Sequence, residues 1–229
     1  NPLTPIQLSA ERLQRKYLSQ IDTERDTFKN CIETIIRHVS DIGHMVNEFP
    51  SYARMPEPVM KYEDVSAHIK DLVVFQQQVH PNIKFFMHDH PKAPLQTYCD
   101  AQKLRQAMIN ILQNAADSIE ARHGPNSYEG RIDIYLETRD EDTGYIIITD
   151  NGLGFPKDED VSRLTDPYVT KREKGTGLGL AIVKKIMEDH RGQLILGEDD
   201  WTRTLPEWRD RGGATVILTL PLDLSAKPD

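Results

Sequence analysis

Two asparagines four residues apart are the first side chains with a spacing suited to chemistry. Asn110 and Asn114 lie in a strongly helical stretch after Asp100, so both carboxamides lie on one helix face, one turn apart. A carboxamide oxygen is a hard, neutral ligand that suits Mg²⁺, which keeps several waters and takes few protein ligands beside nucleotide phosphates. An ordinary solvated polar face would show the same spacing, so this pair alone leaves both interpretations open.

An acidic residue followed by two glycines ends a predicted strand. Asp150-Asn151-Gly152-Leu153-Gly154 comes directly after the apolar run at 145–148. A carboxylate there can accept a hydrogen bond from an exocyclic amine, and the glycines let the backbone approach a flat ligand. Taken alone, the same residues could also form a simple turn.

A glycine-rich loop runs into a predicted helix at Gly175-Thr176-Gly177-Leu178-Gly179-Leu180. The free N–H groups and the dipole at that helix start favour a phosphate group. The loop is not a dinucleotide fingerprint, because no strand closely precedes it, and it is not a Walker loop, because no Gly-Lys-Ser/Thr follows.

The segment at 155–174 precedes this loop and is long, polar and interrupted by two prolines. Such a segment predicts a mobile lid over a ligand. Within it, Lys171, Arg172 and Lys174 are candidates to contact a terminal phosphate, although a solvated basic loop would have the same composition.

The residues that precede these motifs predict a helical hairpin. Residues 24–49 carry a heptad seam made of Phe28, Ile32, Ile35, Val39, Ile42, Val46 and Phe49. A shorter apolar stripe lies upstream, and the polar stretch at 19–26 separates the two as a turn. Because two helices cannot enclose a core alone, the hairpin predicts a homodimer built as a four-helix bundle. A helical arm that packs on its own globular domain is the alternative.

The prolines at 50, 56 and 58 are predicted to end the hairpin and begin a linker. Beyond it we predict helices at 65–78, 101–122 and 178–190, and strands at 83–88, 95–99, 131–139, 145–150, 193–197 and 214–220. The predicted fold is α+β: the helical hairpin at 1–55 is followed at 62–224 by an α/β sandwich of mostly antiparallel strands with helices on one face.

Composition excludes several classes of function. The 229 residues include 28 basic and 36 acidic side chains, a net charge of −8, which argues against binding nucleic acid or a membrane through a broad basic surface. Cys31 and Cys99 match no metal-ligand spacing and predict a reducing, cytoplasmic setting. The longest apolar runs fall far short of the ~18 residues of a spanning helix, so any membrane anchor is expected in other parts of a longer protein.

Four motifs in a fixed order resemble a known family. The Asn110/Asn114 pair, the Asp150 motif, the glycine-rich loop and Gly212-Gly213-Ala214-Thr215 occur in this order. From about residue 62 to 221 the chain thereby resembles the Bergerat-fold ATP-binding domain of sensor histidine kinases, gyrase-type topoisomerases, heat-shock protein 90 chaperones and MutL repair proteins.

This resemblance implies roles for individual residues. Asp150 would bind the adenine amine, Asn114 would ligate Mg²⁺, and Thr215 would support the adenine end. The glycines that would shape the lid and the phosphate loop are Gly152, Gly154, Gly175, Gly177 and Gly179. Asn110 stands where ATP-hydrolysing relatives have a glutamate that activates water. Because an amide has no useful basicity, the pocket is expected to hold ATP without hydrolysing it efficiently.

The first residues, Asn1-Pro2-Leu3-Thr4-Pro5, resemble the end of the histidine-kinase phosphoacceptor box, His-Glu-x-x-Asn-Pro-Leu. The phosphorylated histidine is therefore expected upstream of residue 1, and none of the eight histidines present fits the box. The resemblance gives Asn1 a role in orienting water for dephosphorylation of the partner regulator.

More narrowly, three segments resemble the nitrogen-regulation sensor kinases: Asn1 to Leu13, Phe49 to Pro58 and Leu164 to Thr170. Asp117 supports this subgroup, because it replaces a phosphate-contacting lysine of many sensor kinases and nitrogen-type kinases often have an acid there. The segment at 198–211 is longer than usual, and no function is assigned to it.

These features predict the catalytic core of a sensor histidine kinase. ATP and Mg²⁺ would supply a γ-phosphoryl group to a histidine of the dimer helix, and a response-regulator receiver domain would then accept it. The fragment itself is expected to bind ATP without autophosphorylating. A non-catalytic, ATP-sensing dimeric scaffold is the alternative, and Asn110 and the heptad hairpin disfavour a gyrase- or chaperone-type ATPase.

Overall fold

The chain divides into two compact units. The computed structural model describes residues 3–21, 23–53, 55–89, 95–124, 127–138, 142–156, 160–170, 176–197 and 212–222. One unit comprises Asn1–Met55 with Tyr168–Leu178, and the other comprises Pro56–Pro167 with Gly179–Asp229.

The first unit contains two helices that contact each other, α1 (Thr4–Tyr17) and α2 (Arg25–Ala53). Both predicted helices are therefore present, separated by the predicted turn. Ala10, Ile32 and Val39 are buried, whereas other apolar side chains of the two helices remain exposed, namely Ile6, Leu8, Leu13, Tyr17, Ile35 and Ile42. The four-helix dimer stays a prediction.

The prediction that Pro50 ends the long helix is wrong, because α2 continues to Ala53. A proline lacks the N–H that bonds to the carbonyl four residues earlier, and its ring crowds that carbonyl, but the N–H groups of the residues after it are kept. Since Pro50 lies in the last turn, the residues after it still donate to carbonyls of the preceding turn, and the helix continues for three residues.

The second unit is a mixed α/β domain. Its elements are β1 (Lys61–Asp64), α3 (Val65–Val79), β2 (Ile83–Asp89), β3 (Gln96–Cys99), α4 (Ala101–His123), β4 (Gly130–Thr138), β5 (Thr143–Asp150), a 3₁₀ helix (Val161–Thr165), α5 (Gly179–Asp189), β6 (Gln193–Leu196) and β7 (Thr215–Pro221). Every predicted helix and strand of this unit is present within two residues of its predicted bounds.

Five strands form the main sheet in the order β2-β4-β5-β7-β6. Only β2 and β4 run parallel, and the other neighbours are antiparallel, as the sequence predicted. The short strands β1 and β3 pair separately. Helices α3 and α5 both contact α4, and all three contact strands of the main sheet.

None of the described helices is long and apolar enough to cross a bilayer.

Helix α4 is the central element of this unit. Its apolar face is buried through Leu104, Ala107, Met108, Ile111, Leu112, Ala115, Ala116 and Ile119. Asp100 caps its start, because Oδ1 accepts hydrogen bonds from the N–H groups of Gln102 (3.0 Å) and Lys103 (3.1 Å). The capped and buried helix provides a rigid base for the polar residues on its other face.

Buried His190 fixes the end of α5 to the start of α4. Its Nδ1 donates to the carbonyl oxygen of Ile186 at 2.7 Å, and its Nε2 accepts from the N–H of Asp100 at 2.9 Å. These two partners require the neutral Nδ1–H tautomer. The two helices that carry the predicted asparagine and glycine motifs are thereby held together.

Candidate functional site

The carboxylate of Asp150 lies at the junction of two glycine loops. The side chain is 6% exposed, at the last position of β5. Its Oδ1 accepts hydrogen bonds from the N–H of Gly152 at 2.7 Å and from the N–H of Ala214 at 3.3 Å. The N–H of Asp150 donates in turn to the carbonyl of Ala214 at 3.0 Å. The residues around Asp150 therefore fix the orientation of its carboxylate.

The 151–154 loop and the 212–214 loop pack backbone against backbone. A Cβ on Gly213 would lie 2.5 Å from Oδ1 of Asp150, and a Cβ on Gly154 would lie 3.1 Å from the carbonyl oxygen of Gly213. Gly154 also has a φ of +78°, which side-chain-bearing residues rarely adopt. Only glycine allows the two loops to meet this closely around the carboxylate.

Helix α4 contacts the 151–154 loop directly through Ser118 and Ile119. The hydroxyl oxygen of Ser118 accepts a hydrogen bond from the N–H of Leu153 at 2.9 Å. A Cβ on Gly152 would lie 2.6 Å from the backbone carbon of Ser118 and 2.8 Å from the nitrogen of Ile119. The loop therefore rests directly on the helix backbone, which leaves no room for a side chain at Gly152.

The same helix also holds both loops at its C-terminal end. Nη1 of Arg122 lies 3.2 Å, 2.9 Å and 3.0 Å from the carbonyl oxygens of Asn151, Gly152 and Gly212. Asn151 ties the first loop to β4, because its Oδ1 accepts from the N–H of Arg131 at 2.8 Å.

The two predicted asparagines lie against the start of α5. Nδ2 of Asn110 donates to the carbonyl oxygen of Gly179 at 3.3 Å. A Cβ on Gly179 would lie 3.9 Å from Nδ2 of Asn114. Both carboxamides are half-buried, and they adjoin the helix end at which the backbone dipole favours an anion. Leu180 follows as the second residue of α5. The structure thus brings both predicted asparagines to Gly179, the predicted site residue with which α5 begins.

The sheet register does not bring Thr215 to Asp150. Thr215 pairs with Thr149, whereas the carbonyl and N–H of Ala214 contact Asp150. Because side chains alternate along a strand, Thr215 lies on the face opposite to Asp150. Ala214 is therefore the residue that adjoins the carboxylate, and the expected role of Thr215 at the adenine end stays a prediction.

Three predicted loop residues, Thr176, Gly177 and Leu178, belong to the first unit. There, the N–H of Tyr168 donates to the carbonyl of Gly177 at 3.0 Å. Gly177 has a φ of +68°, and a Cβ on it would lie 2.6 Å from the carbonyl carbon of Tyr168. Five other predicted site residues, Asn1, Lys171, Arg172, Lys174 and Gly175, lie outside the described residues, as do the residues of the 198–211 segment.

Sequence reasoning missed Ser118 and Arg122. Both continue the four-residue spacing of Asn110 and Asn114 along α4. Because residues four apart are neighbours on a helix surface, positions 110, 114, 118 and 122 form one continuous row along the helix. This spacing was the only signal in the sequence, because the partners of Ser118 and Arg122 are backbone atoms of distant loops.

The chain is similar in sequence to a family of ATPases and to named sensor histidine kinases. The family model for the histidine kinase-, DNA gyrase B-, and HSP90-like ATPase matches residues 99–224. Nitrogen regulation protein NtrY of Azorhizobium caulinodans is 46% identical over 235 residues, which cover 99% of this chain and 29% of that protein. A putative NtrY-like sensor histidine kinase of Rickettsia conorii is 39% identical, over 99% of this chain and 35% of its own length. The chain thus spans 29% and 35% of these two curated relatives.

A solved structure supports the same assignment. The mycobacterial sensor histidine kinase MprB matches with a TM-score of 0.57 and 27% identity, over 71% of this chain and 97% of that one. Taken with the geometry around Asp150 and the match at 99–224, this shows that the chain belongs to the histidine kinase-, DNA gyrase B- and HSP90-like ATPase family, and that its core resembles that of the NtrY sensor histidine kinases.

Proposed function

We propose that this chain is the phosphoryl-donating core of a two-component sensor histidine kinase of the nitrogen-regulation type. Its hairpin at 1–55 would form the dimer, and its domain at 62–224 would bind ATP. The observation that carries the proposal is the buried carboxylate of Asp150. It lies between two loops that approach each other too closely for any residue other than glycine at their contact.

Asp150 would select the adenine base. Two backbone N–H donors fix Oδ1, so the carboxylate is oriented before a ligand arrives. A carboxylate accepts a hydrogen bond from the exocyclic amine of adenine but repels the carbonyl oxygen that guanine carries at the same position. We therefore expect ATP to bind more tightly than GTP.

The asparagine face of α4 would hold the triphosphate end. Asn114 would offer its carboxamide oxygen to Mg²⁺, and Mg²⁺, when bound, would neutralise charge on the phosphates. Asn110 would position the start of α5 through its hydrogen bond to Gly179. Because an amide cannot act as a general base, water in the pocket would not be activated and ATP would be hydrolysed slowly.

The lid segment and the glycine-rich loop would complete the contacts with the triphosphate. On the family resemblance, Lys171 and Arg172 would contact the terminal phosphate, and the glycines at 175 and 177 would shape the loop.

The phosphoryl group would pass to a histidine and then to a regulator. The bond between the γ-phosphorus and the β–γ bridging oxygen breaks, a bond from phosphorus to the histidine nitrogen forms, ADP leaves, and the proton of the imidazole is released to water. An aspartate of a response-regulator receiver domain would then accept the group. In a separate reaction, Asn1 would help orient the water that hydrolyses the phosphoaspartate of the regulator to aspartate and inorganic phosphate. The exposed apolar side chains of α1 and α2 support a homodimer, because the hairpin of a second copy would bury them.

A trans-phosphorylation assay tests this proposal. The chain is incubated with Mg²⁺, ATP radiolabelled at the γ-phosphate and the separately purified phosphoacceptor hairpin of the Azorhizobium NtrY protein. We expect label on the hairpin that is stable to alkali and labile to acid, as phosphohistidine is, and no label with an Asn114→Ala variant. ATP binding without any transfer would instead favour a nucleotide-sensing scaffold, and rapid release of free phosphate would favour an ATPase of the gyrase or chaperone type.

A further inference from the structure

Arg122 holds together the two loops between which Asp150 lies. It is in the last turn of α4, three turns beyond Asn110 on the same row of the helix. Its Nη1 is within hydrogen-bond distance of two carbonyls of the 151–154 loop and of the carbonyl of Gly212. The three acceptors belong to segments about 60 residues apart in sequence, and none of them belongs to α4.

We propose that Arg122 is a positioning residue for nucleotide recognition, which keeps the two glycine loops at the separation that orients the Asp150 carboxylate. This inference rests on the proposed function of the site, because it assigns Arg122 to the adenine end of the same pocket.

The geometry favours a guanidinium at this position. Nη1 carries two N–H groups, so the three carbonyls share them. Carbonyl oxygens that converge on one point repel each other, and a cation with several donors offsets this repulsion better than a neutral side chain would. A planar guanidinium also loses less side-chain freedom for each hydrogen bond than a lysine ammonium does.

Gly212 is adapted to this contact. It has a φ of +71°, and a Cβ on it would lie 3.0 Å from Nη1 of Arg122. A larger residue at 212 would therefore be strained and would also displace the guanidinium. The backbone of the second loop and the side chain of Arg122 thus fit each other closely.

A simpler role would be to stabilise the end of α4. A cation in the last turn interacts favourably with the helix dipole, and Arg122 is exposed enough for that role. A helix-stabilising arginine would, however, affect the stability of the domain without affecting its choice of base. The preference for adenine over guanine therefore distinguishes the two roles.

The test compares Arg122→Met, Arg122→Lys and a matched control, Arg105→Met, which changes another exposed arginine of α4 near Phe75. Binding of ATP and GTP is measured by calorimetry with Mg²⁺, and hydrogen exchange of the loop amides is measured without nucleotide. We expect Arg122→Met to weaken ATP binding about tenfold, to reduce the ratio of ATP to GTP affinity, and to speed exchange at Leu153 and Ala214. Arg122→Lys should fall between the wild type and Arg122→Met, and Arg105→Met should match the wild type.

The outcomes separate this inference from the proposed function. If the unsubstituted chain binds ATP and Arg122→Met keeps the same affinity ratio, the inference is overturned and the proposed function stands. A lower melting temperature with an unchanged ratio also overturns it, because that result describes a helix-stabilising role. If the unsubstituted chain binds no ATP, the proposed function fails and this inference fails with it.

Discussion

Gly152 rests on the backbone of α4 at Ser118, where an added Cβ would lie 2.6 Å from the backbone carbon of Ser118. The hydrogen bond from Leu153 to the Ser118 hydroxyl holds the loop at the same place. The position of the Asp150 loop is thus set by the helix that carries Asn110 and Asn114, and one rigid element positions both ends of the proposed nucleotide site.

Substituting Gly152 with alanine should damage this contact. The new methyl group meets helix backbone, which cannot move aside, so we expect a loss of about 1–3 kcal/mol in the free energy of unfolding, as for other overpacked sites. ATP affinity should fall as well, because the loop would be displaced from Asp150. Urea denaturation and calorimetry measure the two effects.

Gly43→Ala is the control for that variant. Position 43 lies within α2, and its Cβ would be 3.8 Å from Cδ1 of Leu3, which is an ordinary contact. Alanine there should be neutral or slightly stabilising. Equal losses at positions 152 and 43 would contradict the importance of the close approach to Ser118.

Asn114 should be responsible for the magnesium dependence of ATP binding. We expect Mg²⁺ to tighten ATP binding to the wild type, and we expect an Asn114→Ala variant to bind ATP almost equally with Mg²⁺ and with EDTA, because its carboxamide ligand is gone. Gln113→Ala is the matched control: it removes a neighbouring carboxamide that bonds to Asp117 at 2.7 Å. If Asn114→Ala retains the full effect of Mg²⁺, the metal is held elsewhere.

The Asp100 cap should make the stability of α4 sensitive to acid. Partial burial alone would raise the pKa of Asp100, but hydrogen bonds from the N–H groups of Val59, Lys103 and Gln102 outweigh it, and the pKa lies below its ordinary value. A lowered pKa in the folded state means that the stabilisation is present above the pKa of the unfolded chain and is lost as the pH falls through the folded pKa.

We therefore expect Asp100→Ala to lower the free energy of unfolding by about 1 kcal/mol at pH 7, the usual cost of a lost helix cap. The difference from the wild type should shrink below the ordinary aspartate pKa of 3.8. Urea titrations between pH 7 and pH 3 measure it, and a difference that stays constant over this range would refute the charged cap.

The two cysteines should differ in reactivity. Burial, followed by the nearby charges of Glu63 and Asp100, raises the pKa of Cys99 to about 12, whereas Cys31 is exposed on α2. Because the thiolate is the reactive form, Cys99 should not react at pH 8 in the folded chain. A thiol reagent should modify one cysteine under native conditions and two in denaturant. Cys31→Ser should abolish the native reaction, and rapid modification of that variant would contradict the burial of Cys99.

The parts of the fold that depend on local sequence could be predicted. Helix α4 was predictable, because the apolar spacing from Leu104 to Ile119 is helical and Asp100 is a favourable cap. The Asn110/Asn114 pair followed from that helix, and the structure brings it to Gly179. The strand β5 and the turn after Asp150 were likewise marked by an apolar run and by glycines.

Features that depend on pairing between distant segments could not be predicted. Strand β1 consists of Lys61-Tyr62-Glu63-Asp64, which shows no apolar alternation, and it pairs with β3 in a separate two-stranded sheet. The face of Thr215 depends on the register of β7 against β5, and a shift of one residue reverses it. The contacts of Ser118 and Arg122 go to backbone atoms, which leave no pattern in the sequence.

Asp150 is proposed to accept a hydrogen bond from the adenine amine, and an Asp150→Asn variant isolates this contact. The amide oxygen of asparagine can still accept from the N–H groups of Gly152 and Ala214, so the loops should keep their structure. Its NH₂ group replaces the second acceptor oxygen and cannot accept from an amine. Calorimetry with ATP and Mg²⁺ should show affinity reduced roughly 10- to 100-fold, from the loss of a charged hydrogen bond, with an unchanged melting temperature. If Asp150→Asn binds ATP as tightly as the wild type does, Asp150 does not bind the adenine amine.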